Sequence, residues 1–246
     1  MRFLVTTAVP AERDAVARAL PGTAREVDLP GAALRRISGP HTYDLLAAGV
    51  GPGRAAASTA SALTAAALDG VPCTLVVCAG IAGGFVPGAP VGSLVVADEI
   101  TVADLGAEST DGFLPVTELG FGTVSHRPPQ SLVRAACAAT GAHAGTVLTV
   151  STVTGTAARA DALRARHPRA LAEAMEGFGV AEAAALHGVP VLEVRAVSNP
   201  VGPRDRAAWR IGDALAALTE GFGKLAPAME SWNPHEPHDP HEPHQL

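Results

Sequence analysis

Apolar and polar positions along the chain alternate between two periods. Compact apolar runs at Arg2 to Thr7, Thr74 to Ala79, Ser93 to Asp98, Gly145 to Ser151 and Val191 to Ser198 read as strands. The run at Thr74 to Ala79 is continuous, as expected of a strand covered on both faces. Ala32 to Ile37 and Tyr43 to Ala48 read as a hairpin through Ser38 to Thr42, and Ala172 to Met175 as a short buried strand. Between these runs the spacing turns helical: Ala11 to Leu20 behind Pro10, an alanine-rich stretch from Gly53 to Asp69, Leu132 to Thr140, Ala157 to Arg166, Gly177 to about His187, and an amphipathic stretch from Arg206 to about Met229. Gly80 to Gly84 reads as a tight loop. Glu99 to Arg127 has weak periodicity, and such a segment inside a compact domain points to a functional loop, here a lid.

Strands that alternate with helices from end to end predict an α/β fold: one α/β/α sandwich over residues 1–229. The remainder, 230–246, differs in kind. Its Pro/His tripeptide repeat has nothing apolar to bury and its prolines block ladders, so disorder is expected. Its histidines could bind a metal only weakly.

Composition narrows the function. The net charge is −6, with no basic cluster, which argues against nucleic acid and against an anionic membrane surface. Lys224 is the only lysine, so a lysine Schiff base or a phosphate-loop lysine is nearly excluded. Cys73, Cys78 and Cys137 are odd in number and lack a C-x-x-C spacing, which suits a reducing compartment. The apolar start, Met1 to Ala8, is too short for a signal segment or a membrane span. A cytoplasmic protein is expected.

Several residues could carry chemistry. Glu176 ends a strand before the Gly177-Phe178-Gly179 turn, with Met175 beside it. A carboxylate and a thioether there suit a polyol such as a ribose, although Glu176 could equally just start a helix. Glu12 has the same two readings, a general base or a favourable first-turn carboxylate. Gly49-x-Gly51-x-Gly53 and Gly80-x-x-Gly83-Gly84 bring backbone N–H groups toward a ligand but match no dinucleotide or phosphate-loop fingerprint. Ser198 and Asn199 end a strand; Asn offers one acceptor and two donors, or merely turns the chain before Pro200. Arg195, inside an apolar strand, predicts a structural ion pair.

Taken in order, Glu12, Gly49-Val-Gly-Pro-Gly53, Ala79-Gly-Ile-Ala-Gly-Gly84, Ala97-Asp-Glu99, Met175-Glu176 and Arg195-Ala-Val-Ser-Asn199 resemble the purine nucleoside phosphorylase and nucleosidase superfamily. The resemblance covers roughly 1–226 and is strongest to the branch of the methylthioadenosine/adenosylhomocysteine nucleosidases. It implies a central mixed sheet partly closed into a barrel, a homo-oligomer, and cleavage of an N-glycosidic bond to a purine with neither metal nor organic cofactor. Carried across, Glu12 activates the attacking water, Glu176 binds the ribose 2′- and 3′-hydroxyls, Met175 lies under the sugar, and Asn199 meets purine N7. Gly80, Ile81 and Ser198 belong to the same substrate-binding motifs.

Two departures sharpen this. The adenine-specific enzymes carry Asp where Asn199 stands; an amide suits the paired acceptors N7 and O6 of a 6-oxopurine, so hypoxanthine is the expected leaving base. Ile81 stands where a phosphate-binding Ser is often found and cannot hydrogen-bond phosphate, which favours water as the acceptor, although Arg54 is near in sequence. The rivals are phosphorolysis of an inosine-type nucleoside, hydrolysis of methylthioadenosine, and a sensor without catalysis. An anionic group beyond the sugar would need an arginine, a backbone N–H or a histidine such as His41 or His126.

Overall fold

The computed structural model describes residues 1–29, 31–110 and 112–233, so the Pro/His repeat lies outside the described residues. The elements in order are β1 (Arg2–Thr7), α1 (Pro10–Ala19), β2 (Thr23–Leu29), β3 (Ala32–Ser38), β4 (Thr42–Ala47), α2 (Pro52–Leu68), β5 (Leu75–Gly84), β6 (Leu94–Val102), β7 (Gly106–Ser109), β8 (Gly112–Pro115) and β9 (Ser125–His126). Then come α3 (Gln130–Thr140), β10 (His143–Thr149), α4 (Ala157–Arg166), β11 (Ala170–Ala174), α5 (Gly177–Leu186), β12 (Val191–Pro200) and α6 (Ile211–Ser231).

The main sheet runs β11-β10-β6-β12-β5-β1-β4-β3-β2. A further antiparallel pairing of β11 with β5 closes the first five of these strands into a ring. Parallel and antiparallel pairs are mixed, because β12 lies parallel to β5 but antiparallel to β6. Apolar residues on one face pack under α2 and α5, with Ala62, Leu63, Val180 and Ala184 at the contact. The other face packs under α1, α3 and α6 through Val16, Leu132, Leu218 and Phe222. The α/β/α sandwich with a partly closed central sheet is therefore present.

Four points differ from the sequence reading. Gly80 to Gly84 is not a loop: β5 continues through it to Gly84, paired with β12 on one side and β11 on the other. The glycines there answer to crowding at the closure. A Cβ on Gly84 would lie 2.1 Å from the Ala89 carbonyl oxygen. Secondly, β2 has no apolar period to reveal it, because it is the edge strand of the meander and exposes most of its side chains. Thirdly, the segment 99–127 is not irregular throughout. It contains the end of β6, the β7–β8 hairpin and β9. The last helix also starts later than expected, at Ile211, after a single 3-10 turn over Arg206–Ala208.

Candidate active site

Strand register and the turns that follow the strands bring three distant residues together near one level of the ring. In β12, Arg195 stands opposite Gly80 of β5. From the other side β11 runs antiparallel to β5, with Ala172 opposite Gly84 and Glu173 opposite Gly83. Carrying that register on past Glu173 brings Glu176 to the level of Gly80. The geometry agrees: Arg195 Nη2 lies 3.3 Å from Glu176 Oε2. Glu12 reaches the same level from the first turn of α1, where its Oε1 accepts from the Ile81 amide at 2.8 Å.

Gly80 shows how close these groups are. A Cβ built on it would lie 2.7 Å from both Glu12 Oε1 and Arg195 Nη1. The position above its Cα is therefore closed by a carboxylate on one side and a guanidinium on the other, with no room for a Cβ. A small polar molecule lying farther out, between the two groups, would meet an acceptor and a donor.

Arg195 is buried, and its donors are largely engaged. Its Nε donates to Glu193 Oε1 at 2.9 Å, Nη2 to the Cys78 sulfur at 3.1 Å, and Nη1 to the Ile81 carbonyl at 3.4 Å. Burial works against its charge, but Cys78, Glu193, Glu176 and Glu12 outweigh it and hold the guanidinium above its ordinary pKa. The structural ion pair expected from the sequence is there, but one of its partners is the candidate sugar ligand Glu176.

The two oxygens of Glu12 face different ways. Its Oε2 accepts from the backbone N–H groups of Ala8 and Val9 at 2.9 and 3.2 Å, the helix-start half of the arrangement. Its Oε1 turns inward to Ile81 and the space above Gly80. Burial pushes its carboxyl above the ordinary value, and Arg195 and the Ile81 amide pull back part of that. A carboxylate whose pKa is raised in this way is a better proton acceptor than a solvated one.

Glu176 occupies the N-cap position of α5, yet its side chain makes no cap hydrogen bond. Instead Oε1 accepts from the Gly51 amide and Oε2 from the Met175 amide, each at 3.3 Å. Gly51 can present its amide because it adopts a φ of 90°, which favours glycine. The two glycines after Glu176 have different reasons. A Cβ on Gly177 would strike the Glu193 carboxylate, and one on Gly179 would lie 2.1 Å from the Pro52 carbonyl oxygen. Met175 is half-buried beside Glu176.

Asn199 sits one step further along the ring, opposite Gly83, after a register shift that leaves Ser198 out of the pairing. The Ser198 hydroxyl lies 2.9 Å from Asn199 Oδ1 and 3.2 Å from the Ala82 carbonyl. Asn199 Nδ2 donates one hydrogen to the Pro200 carbonyl at 3.0 Å. The single Ser198 hydrogen can serve either Asn199 Oδ1 or the Ala82 carbonyl, and the Asn199 amide keeps a second N–H beyond the one given to Pro200.

The remaining candidates separate. Ile81 takes part through its backbone, while its side chain packs on the core under α1 and α6. Arg54 is exposed and donates to the Gly31 carbonyl at the β2–β3 turn. His41 lies 3.3 Å from the Met1 amino group, at the start of β1, whereas Glu12 follows the end of that strand, so His41 is not at this site. His126 lies against α5, with Nε2 2.6 Å from Glu182 Oε1 and its ring beside Phe178. Sequence reasoning missed Glu193 and Cys78 as neighbours of Arg195. The only signal for Glu193 was an acidic residue two places from Arg195 on an apolar strand. A separate groove of about 300 Å³, lined by Ser93, His143 and Lys224 among others, contains none of these residues.

This fold and the family model agree: the chain belongs to the phosphorylase superfamily, whose model matches residues 2–226. Within the superfamily it is 76% identical over 236 residues to futalosine hydrolase of Streptomyces coelicolor, an alignment covering 96% of this chain and 100% of that one. Among solved structures it resembles the 5′-methylthioadenosine/S-adenosylhomocysteine nucleosidase of S. pneumoniae, with a TM-score of 0.79 at 21% identity over 93% of this chain and 100% of that one. The futalosine hydrolase of Helicobacter pylori gives 0.78 at 19% identity over 94% of this chain and 97% of that one. At such identities the two structures speak to the fold.

Proposed function

We propose that this protein hydrolyses the N-glycosidic bond of futalosine, releasing hypoxanthine and leaving dehypoxanthine futalosine, a step toward menaquinone. One observation carries the substrate: the identity of 76% to a futalosine hydrolase along that relative's whole length. The site geometry supports the chemistry.

Glu176 accepts from the ribose 2′- and 3′-hydroxyls and favours the positive charge that develops on the sugar as the bond to the base stretches. Met175 lies under the ribose. Water lies between Glu12 and Arg195, donating to Glu12 Oε1 and accepting from Arg195 Nη1. Its oxygen bonds to C1′ as the bond from C1′ to the base nitrogen breaks; the bonding pair leaves with the base, and Glu12 takes the water proton. That proton returns through solvent to hypoxanthine. Asn199 Nδ2 donates to the N7 and O6 edge and stabilises the charge leaving with the base. The second N–H of Asn199 Nδ2 supports a 6-oxopurine, since it can donate to O6 where adenine presents a donor. Ile81 and the engagement of Arg54 at the β2–β3 turn both support water over phosphate.

The protein works as a homo-oligomer inside the cell. The helices α2 and α5 pack together and leave Leu68 and Leu186 exposed where Thr64 meets His187. Among the described residues no helix is long and apolar enough to cross a membrane. The test is chromatography of products from futalosine, inosine and methylthioadenosine, each with and without phosphate. Hypoxanthine from futalosine without phosphate is the expected result. Strict phosphate dependence, or adenine as the released base, overturns the reading.

A further inference from the structure

We propose that Glu193 is a positioning residue for this site: it anchors Arg195 by its Nε, so that the two terminal nitrogens stand toward Glu176 and Glu12, and Gly177 leaves room for it. The inference rests on the reaction proposed above.

Glu193 lies two residues before Arg195 on β12 and is fully buried, on the strand face away from Leu192, Val194 and Ala196. Its Oε1 accepts from Arg195 Nε at 2.9 Å, while Oε2 has no hydrogen-bond partner among the described residues. An apolar side chain would cost less to bury in such a strand. The carboxylate supplies what an apolar group cannot, one fixed point on the guanidinium. With Nε held, one edge of the planar guanidinium is tied to Glu193, and Nη1 and Nη2 are left to reach other partners. Nη2 then reaches Glu176 Oε2, and Nη1 faces the space above Gly80 that Glu12 closes from the other side.

A second contact ties Glu193 to Glu176 by another route. A Cβ on Gly177 would lie 2.2 to 2.4 Å from the carboxylate atoms of Glu193. Gly177 does not have a positive φ, so its backbone conformation does not call for glycine; space does. Gly177 directly follows Glu176 and is the first residue of α5. Glu193 therefore bears on Glu176 through the guanidinium that pairs with it and through the backbone that carries it.

The test measures melting temperature, kcat, KM and the pH profile of hypoxanthine release for Glu193→Ala, Glu193→Gln, Gly177→Ala and the Gly177→Ala/Glu193→Ala double variant. Misplacing reacting groups by about 1 Å costs roughly a hundredfold in rate, and Glu193→Ala is expected to approach that in kcat. Its acidic limb should move to higher pH, because an unanchored Arg195 no longer draws down the Glu12 carboxyl, which otherwise faces Glu176 and the amides of Ala8, Val9 and Ile81. Glu193→Gln keeps an oxygen for Nε and should recover most of the rate. Gly177→Ala should be costly alone and add little once Glu193 is Ala, a coupling that marks contact. A folded Glu193→Ala with unaltered kcat and pH profile overturns the proposal. Should that variant not fold, an unimpaired Gly177→Ala overturns it equally. Failure of the unaltered chain to release hypoxanthine would instead remove the reaction on which the inference rests.

Discussion

Replacing Gly80 by Ala tests the arrangement with a single methyl group. The added Cβ would stand 2.7 Å from Glu12 Oε1 and Arg195 Nη1, so each would have to retreat about 0.7 Å to reach an ordinary contact of 3.4 Å. Both atoms end flexible side chains, but neither is free to move. Glu12 is held by the amides of Ala8, Val9 and Ile81, and Arg195 by Glu193, Cys78 and Glu176. Breaking one hydrogen bond to a charged group costs about 1.5–3 kcal/mol. The methyl also displaces the two groups between which the water is assigned. Together these should lower kcat by roughly two to three decades, about 3–4 kcal/mol of barrier. The ribose and base contacts remain, so KM should change much less. Overpacking should lower stability by about 1–3 kcal/mol, read as a fall in Tm of about 2–4 °C for each. The assay is steady-state hypoxanthine release from futalosine, with thermal melts in parallel. A folded Gly80→Ala that keeps kcat within about threefold, under half a decade of barrier, would refute water binding between Glu12 and Arg195.

Three further variants probe the surrounding groups. Glu176→Gln should lose about two decades or more in kcat yet remain folded, because Arg195 keeps Glu193 as its partner; near-normal turnover would remove Glu176 from the chemistry. Asn199→Asp should shift the ratio of hypoxanthine to adenine release toward adenine when inosine and adenosine compete, and an unchanged ratio would contradict the assigned role. Glu12→Gln should abolish turnover and gain stability relative to the unaltered chain as pH rises. Burial raises the native Glu12 pKa above 4.5, so the native state binds the proton more tightly and loses stability as pH climbs from there through the raised value. Gln has no such loss, and melts of both proteins across a pH series should diverge in that direction.

The helices and central strands were legible because their apolar periods are strong, as in β1 and β12. Two features were not. The strand β2 exposes most of its side chains and carries no period to read. The end of β5 was misread because glycine usually marks a turn, whereas here Gly83 and Gly84 admit close neighbours. Glu12, Glu176 and Asn199 could be singled out from motif order, but their mutual placement could not. It depends on the antiparallel pairing of β11 with β5, a non-local contact without a local sequence signal. Glu193 was overlooked for a related reason: its meaning lies in what it touches, Arg195 on its own strand and Gly177 on another element.

Closure of the ring at β5 and β11 bears on how such a site can change. A glycine-rich strand end would ordinarily fray, and its amides would exchange quickly with solvent. Here Gly83 and Gly84 are laced on both sides, so the backbone beneath the reacting groups should be among the slowest to exchange hydrogen for deuterium. A scaffold so stiff leaves little freedom to retune selectivity by moving the floor of the pocket. Adaptation to other nucleosides would have to come from the segments that leave the ring, such as those after β10 and β12.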